Sequence, residues 1–153
     1  MALDAAIDVL MGEALEPIVD MVLVQRGEHV YEAIAPDGRT RFRRDDAGAG
    51  WRFTVEAVEG RDPLADQALD RFAGLDAERA GRCPDRTANS YPFAHEQVAQ
   101  LFDHDSAPDV CVIHAAAHNW EDQGGHLGEH GSLDVVQARA SRARPGGRPG
   151  PPS

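Results

Sequence analysis

Apolar and polar positions change their spacing along the chain, and these changes predict where helices and strands lie. Apolar residues recur at helical spacing over residues 2–15, and Pro17 ends this pattern. Residues 19–24 form a short apolar run rich in valine, which is typical of a buried strand. Three segments of strand character follow, at 29–35, 39–44 and 51–58. Because Pro36-Asp37-Gly38 is a turn sequence between the first two of these segments, the pattern predicts a β-meander over residues 18–60.

The second half of the chain alternates helical patterns with one strand. Asp62 followed by Pro63 has the character of a helix N-cap and first turn, which predicts a helix over 62–72. A second amphipathic pattern predicts a helix over 92–102. Residues 109–114 are almost continuously apolar, as expected for a strand that is buried on both faces of an α/β sheet. This order predicts an α/β (or α+β) fold, a partial α/β core layer with the β-meander as an insertion.

The chain is expected to form one unit over residues 1–140, followed by a tail without a core. Residues 141–153 consist mainly of arginine, proline, glycine and serine, with no apolar periodicity. Such a segment buries too little apolar surface to offset its loss of conformational entropy, so we expect residues 141–153 to be a disordered tail.

Charge and apolar content exclude several classes of partner. Residues 1–138 hold all 26 acidic residues but only eleven of the fifteen arginines, so the body of the chain repels phosphate backbones and nucleic-acid binding is not expected. No run of about 18 apolar residues occurs, so no membrane span is expected and the cytoplasm is the default location. Cys83 and Cys111 are too few for a disulfide framework, and Cys111 is expected to be a small buried apolar side chain.

Histidine is concentrated in one short part of the chain. Five of the seven histidines lie there, at positions 104, 114, 118, 126 and 130, and glycines surround the last two of them. Neutral imidazole is a common ligand of zinc, and a strand ending at His114 places that side chain where α/β sheets hold their sites. The spacing of His126 and His130 leaves two interpretations open: a divalent-metal site, or histidines that only form hydrogen bonds in a glycine-rich loop.

The segment 109–140, with Gly128-Glu129-His130-Gly131-Ser132 at its centre, resembles the last metal-binding element of the alkaline phosphatase superfamily, which includes type I phosphodiesterases and nucleotide pyrophosphatases. In that superfamily a Gly-x-His-Gly motif follows a core strand, and its histidine is the final metal ligand. The resemblance implies that His130 is a ligand of a divalent metal, with His126 as its neighbour, and the imidazole ligands make zinc the expected ion. It extends over most of residues 15–140 and implies a phosphate-ester substrate.

Other parts of that family's site have no counterpart in the sequence. We find no serine or threonine nucleophile after a first strand, no Asp…His pair and no Asp-His-Gly motif. Asp103-His104-Asp105 lacks the following glycine, and His104 is better interpreted as a histidine at a helix C-terminus, which the helix dipole favours. An apolar strand is also missing after residue 140. The expectation is therefore a C-terminal segment of a phosphatase or phosphodiesterase that is inactive alone.

Three further residues and two other functions remain open. His118 and Trp120 are candidates for binding substrate, with the indole stacking on it, but the alternative is a polar loop anchored by one tryptophan. Glu129 is a candidate for orienting an imidazole, or one acid among many. The alternatives to the hydrolase segment are a small acidic module that binds a metal or a partner without catalysis, and a decayed gene fragment.

Overall fold

The described part of the chain, residues 2–69, 90–115 and 133 of a computed structural model, forms one five-stranded antiparallel sheet with two short helices. The strand order is β4-β3-β2-β1-β5. The elements in chain order are α1 (Ala2–Leu10), β1 (Val19–Gly27), β2 (Val30–Ala35), β3 (Gly38–Asp46), β4 (Trp51–Gly60), α2 (Ala94–Leu101) and β5 (Cys111–His114). The fold is therefore α+β, one of the two classes that the sequence predicts.

The predicted β-meander is confirmed, because β1 to β4 pair with one another in sequence order. Its first strand is covered on both faces. Residues 19–24 are all buried, and alternate members belong to different apolar clusters. Val22 and Val24 pack in a cluster with Ile7 of α1, whereas Leu23 packs in a cluster with Val98 of α2. This apolar run thus reflects two helices on opposite faces of one strand.

The two helices agree with their amphipathic patterns, with shorter bounds for α1 than the sequence predicts. The helix α1 packs through Ile7 against residues of β1 and β2 on one face of the sheet. It ends at Leu10 rather than at residue 15. The helix α2 packs through Ala94, Val98 and Ala99 on the opposite face, against the fully buried Phe42. Burying each large apolar side chain in these clusters contributes about 1.5–3 kcal/mol to folding.

Two predicted elements are wrong in the described residues. The strand β5 is not buried on both faces within an α/β sheet: it is half-buried, pairs antiparallel with β1, and lies at one edge of the described sheet. Residues 62–69 form a turn and irregular chain rather than a helix, while 70–72 lie outside the described residues. The Asp62 side chain accepts a hydrogen bond from the Leu64 amide at 2.9 Å, so the capping group forms a local turn without a helix.

Several expectations fall outside the part of the chain that the structure describes. They include the tail 141–153 and Cys83. Cys111 is free and half-buried beside the cluster that contains Val98, and this burial raises the pKa of its thiol. Among the described helices, none has the length and apolar character needed to cross a membrane.

Candidate functional site

His114 closes β5, immediately before the histidine-rich segment. It pairs with Val19 across the sheet, and the next amide, of Ala115, donates to the Ile18 carbonyl at 2.7 Å. The half-buried His114 ring has Nδ1 3.2 Å from the carbonyl oxygen of Ala115. A carbonyl only accepts hydrogen bonds, so in the neutral ring Nδ1 carries the proton and the lone pair lies on Nε2. This tautomer is the one in which Nε2 is able to bind a metal ion.

The other described histidines have the opposite arrangement. In each of them Nδ1 faces a donor: the Arg44 guanidinium for His29, at 3.2 Å, and the Ser106 amide for His104, at 3.1 Å. His95 receives the side-chain amide of Gln67 at 3.2 Å. In the neutral form their lone pairs are thus already occupied. Within the described residues, His114 is the histidine whose hydrogen bonding leaves a nitrogen lone pair suited to a ligand.

A buried polar pair lies close to His114 at the same end of the sheet. Asp20 occupies the irregularity where the β1–β5 register shifts between Val19 and Met21, and its side chain accepts a hydrogen bond from the hydroxyl of Tyr91. Both residues are buried, at 3% and 2% exposure. The Tyr91 amide also donates to the Asp66 carbonyl at 2.8 Å, which fixes the chain as it enters α2.

Asp37 and Arg61 form an ion pair at this end of the sheet. The Arg61 guanidinium donates to both carboxylate oxygens of Asp37, at 2.5 and 3.1 Å. These hydrogen bonds raise the pKa of Arg61, partial burial opposes them, and the charges of Asp37, Tyr91 and Asp20 raise it further. The end of the sheet that carries His114 is therefore a polar region that includes the carboxylates of Asp20 and Asp37 and the guanidinium of Arg61.

The sequence predicts four site residues, His118, Trp120, His126 and His130, and all four lie outside the described residues. The structure does fix the chain on either side of them. Ala115 is held by its hydrogen bond to Ile18, and Leu133 is buried, at 7% exposure, in the cluster that contains Met21 and Tyr91.

The described residues alone do not assemble a metal site. In residues 2–69, 90–115 and 133 no group of three histidine, cysteine, aspartate or glutamate side chains is placed to hold an ion. Asp103, the first residue of the Asp103-His104-Asp105 sequence, is bound instead to Arg44, at 2.6 and 2.7 Å. This sequence is therefore not a ligand pair in the described fold, and α2 already ends at Leu101.

A further cluster, at the opposite end of the sheet, was not predicted from the sequence. Arg44 is 5% exposed and lies between Asp103 and the ring of Trp51, whose centroid is 4.6 Å from the guanidinium carbon. The ring of Tyr31 is 5.9 Å away on the other side. An arginine within the polar sequence of β3 gave no signal of burial. Its environment depends on Trp51 and Asp103, which are distant in sequence.

The Tyr91 hydroxyl supports a direct test. Tyr91→Phe removes a hydrogen bond to a buried carboxylate, so we expect the free energy of unfolding to fall by about 2 kcal/mol. Tyr31→Phe is the matched control, because the hydroxyl of the fully buried Tyr31 has no hydrogen-bond partner among the described residues. Urea unfolding of both variants measures the difference. Equal losses for the two variants would show that the Asp20–Tyr91 bond adds nothing to stability.

Comparison with known proteins adds no family to these observations, since no family model, curated protein or solved structure matches the chain.

Proposed function

We propose that this chain carries the last metal-binding element of a metal-dependent phosphatase or phosphodiesterase, with His130 as a metal ligand and His126 as its neighbour. The observation that carries the proposal is the His114 ring, whose Nδ1 donates to a carbonyl and leaves Nε2 as a lone-pair donor at the start of the histidine-rich segment. Burial of Leu133 then holds the far end of that segment on the core. The motif resemblance supplies the reaction class.

The donor chemistry fits a divalent ion such as zinc. Zinc prefers imidazole nitrogen, and catalytic zinc sites use about three protein ligands with one open position. Three imidazoles, those of His114, His126 and His130, occur within a segment whose two ends meet the same sheet. When bound, such an ion activates water and neutralises the charge that develops on a phosphoryl group. His118 and Trp120 are the proposed contacts to the ester substrate.

The chain's own residues have positioning roles in this proposal. The Ala115 carbonyl selects the tautomer of His114, and the Ile18 carbonyl holds the backbone that follows it. Arg61 is held beside Asp37 at the same end of the sheet, where this ion pair fixes the chain that follows β4. Because the nucleophile of the resembled family has no counterpart in the sequence, we propose that the chain does not turn over phosphate esters alone.

Zinc titration of the full chain tests the proposal. We expect His130→Ala to weaken zinc binding at least about tenfold, because loss of a direct ligand costs no less than the 10–100-fold loss seen for supporting residues. His114→Ala is expected to do the same. Competition with a chromophoric chelator measures the affinity, and circular dichroism confirms that each variant remains folded.

The matched control is His104→Ala, because His104 is exposed and its Nδ1 accepts a hydrogen bond from Ser106. Zinc affinity should not change in this variant. Equal affinity in the wild type and in His130→Ala would contradict the proposed ligand. Tight binding of one zinc ion by the chain, lost on substitution of any of the three histidines but without added phosphate-ester binding, would instead favour the non-enzymatic metal-binding module.

A further inference from the structure

β4 lies at the edge of the described sheet opposite β5, and its ten residues are mostly exposed. The large apolar side chains among them are unusually accessible: Trp51 is 56% exposed, Val55 44% and Val58 46%. An edge strand has backbone N–H and C=O groups available for pairing, and natural proteins usually protect such edges with prolines, charges or a covering element. β4 has no proline and is long, so its edge is suited to pairing with another strand.

The two faces of β4 differ sharply in chemistry. Its register with β3 places Phe53, Val55 and Val58 opposite Arg44, Phe42 and Thr40, which all point to the α2 side of the sheet. Arg52 and Glu59 lie opposite Asp45 and Arg39, on the other side. One face of β4 is thus apolar and the other is charged.

A β-bulge makes this division possible. Val55 and Val58 are three residues apart, and in a regular strand they would point to opposite faces. The register shifts between Arg41 and Phe42, which pair with Ala57 and Val55, so Glu56 is an extra residue in β4. The extra residue returns Val58 to the face of Val55. If Glu56 is left out of the count, Phe53 and Val58 each lie two positions from Val55 along the strand.

We propose that the exposed edge of β4 binds a second copy of this chain, strand against strand and antiparallel, about a twofold axis at Val55. If the bulge counts as one position, Val55 lies opposite Val55 of the second copy, and Phe53 lies opposite Val58 of the second copy. All of these side chains are on the α2 face. The two sheets then continue as one ten-stranded antiparallel sheet, and apolar residues meet at its centre.

On the charged face, the same register brings opposite charges of the two copies together. It places Arg52 opposite Glu59 of the second copy, and the twofold axis repeats this pair. On the α2 face, where Trp51 lies over Arg44, the register places the exposed indole of Trp51 beside Gly60 of the second copy, where no side chain competes for the space. Since a twofold interface uses one patch twice, this patch must be complementary to itself. Agreement of both faces in a single register is the reason for choosing a second copy rather than a different partner.

The edge is narrow, so the expected dimer is weak. One strand pair buries less surface than the 1,200–2,000 Å² of a standard interface, and we expect half-association at about 100 µM. Sedimentation velocity over a concentration series measures the dissociation constant. Val55→Lys places two like charges directly opposite each other and should raise the dissociation constant at least about tenfold. Val9→Lys, at another exposed valine (69%), is the matched control and should leave association unchanged.

A charge exchange and a cross-link test the register. Arg52→Glu should weaken the dimer, and adding Glu59→Arg in the same chain should restore it, because the pair is then reversed but complementary. Val55→Cys should give an oxidised dimer linked between the two residues 55, whereas Val9→Cys should not. A chain that stays monomeric at about 500 µM, or a dimer that Val55→Lys does not affect, would overturn the proposal. Unchanged circular dichroism of the variants separates loss of pairing from loss of fold.

Discussion

Substituting Gly38 with alanine is expected to lower the free energy of unfolding by about 3 kcal/mol or more, since the added methyl group would collide with backbone atoms. At residue 38 a Cβ atom would overlap the backbone nitrogen and oxygen of Arg61 and would lie 2.7 Å from the carbonyl oxygen of Glu59. Backbone atoms cannot move aside as a flexible side chain can. The start of β3 would therefore separate from the end of β4. Urea unfolding of the full chain measures the loss.

Gly27→Ala is the matched control for Gly38→Ala. Gly27 ends β1, a Cβ atom there would meet nothing within 4 Å, and its φ is not in the left-handed region. Replacing this glycine should leave stability unchanged or raise it slightly, because alanine has less conformational entropy to lose on folding. If Gly38→Ala and Gly27→Ala had the same effect, close packing between β3 and Arg61 would not be what requires glycine.

The Gly38 contact matters for the proposed site because it determines where Arg61 lies. The Arg61 amide donates to the Asp37 carbonyl at 3.1 Å, and its side chain holds the Asp37 carboxylate. Gly60, with φ of +68°, turns the chain into this position. Opening the junction would release Arg61 from the end of the sheet that carries His114. If Gly38→Ala left the zinc affinity unchanged, the metal site would not depend on the Asp37–Arg61 ion pair.

Local sequence signals account for the elements that were predicted correctly. The turn Pro36-Asp37-Gly38 contains its own conformational preferences, and the strands on either side of it are neighbours in sequence. The apolar run 19–24 indicates burial on two faces, as found for β1. The helix α2 was predicted from the spacing of apolar residues such as Val98. In each case the information lies within about ten residues.

The position of β5 could not be predicted because it depends on pairing between distant segments. Its apolar run is real: Val112 packs on the cluster of α1, and Ile113 packs on the cluster of α2. The pattern therefore reports two apolar surroundings, but an edge strand between two helices gives the same pattern as the centre of a parallel sheet. The antiparallel partner β1 is separated from it by more than eighty residues, beyond any local signal.

Some of the buried polar contacts also had a signal in the sequence, and others had none. An aspartate within the apolar run 19–24 must find a partner when buried, so the sequence contained a signal for the Asp20 pair. Its partner Tyr91 was interpreted only as part of a turn, because nothing local links residues 71 positions apart. Arg44 had no such signal, since it is one of four arginines in β3 and the other three are exposed or half-exposed.

The Arg44 cluster holds β3 and β4 to the end of α2. Its guanidinium donates two hydrogen bonds to Asp103, lies over Trp51 and contacts His29 Nδ1. Tyr31 borders the cluster, and burial raises the pKa of its hydroxyl. A buried cation destabilises the fold unless a carboxylate compensates its charge, so Asp103 contributes much of the stability of this cluster. Trp51 also belongs to the edge strand β4, so the same cluster supports the surface that we propose for pairing.

Asp103→Ala is accordingly expected to lower the free energy of unfolding at pH 7 by about 2–3 kcal/mol, because it leaves the Arg44 guanidinium buried without its carboxylate. The loss is smaller than for a fully buried pair, since the Asp103 side chain is 46% exposed and water partly screens it. Asp105→Ala, two residues further on at an exposed position, is the matched control and should change stability little. Similar losses in the two variants would contradict the role assigned to Asp103.

The same pair predicts how this difference depends on pH. Hydrogen bonds from Arg44, and then the charges of Arg44 and His29, hold the pKa of Asp103 below its ordinary value of 3.8, while slight burial opposes them. A carboxyl whose pKa is lower in the folded state stabilises the fold above its unfolded pKa and loses this contribution as the pH falls through the folded pKa. The stability gap between the wild type and Asp103→Ala should therefore be constant from pH 7 to about pH 5 and shrink below pH 3.8. Urea unfolding of both proteins across this range measures the gap, and a gap that persists undiminished at the acid end would show that packing of the Asp103 side chain, rather than its charge, stabilises the cluster.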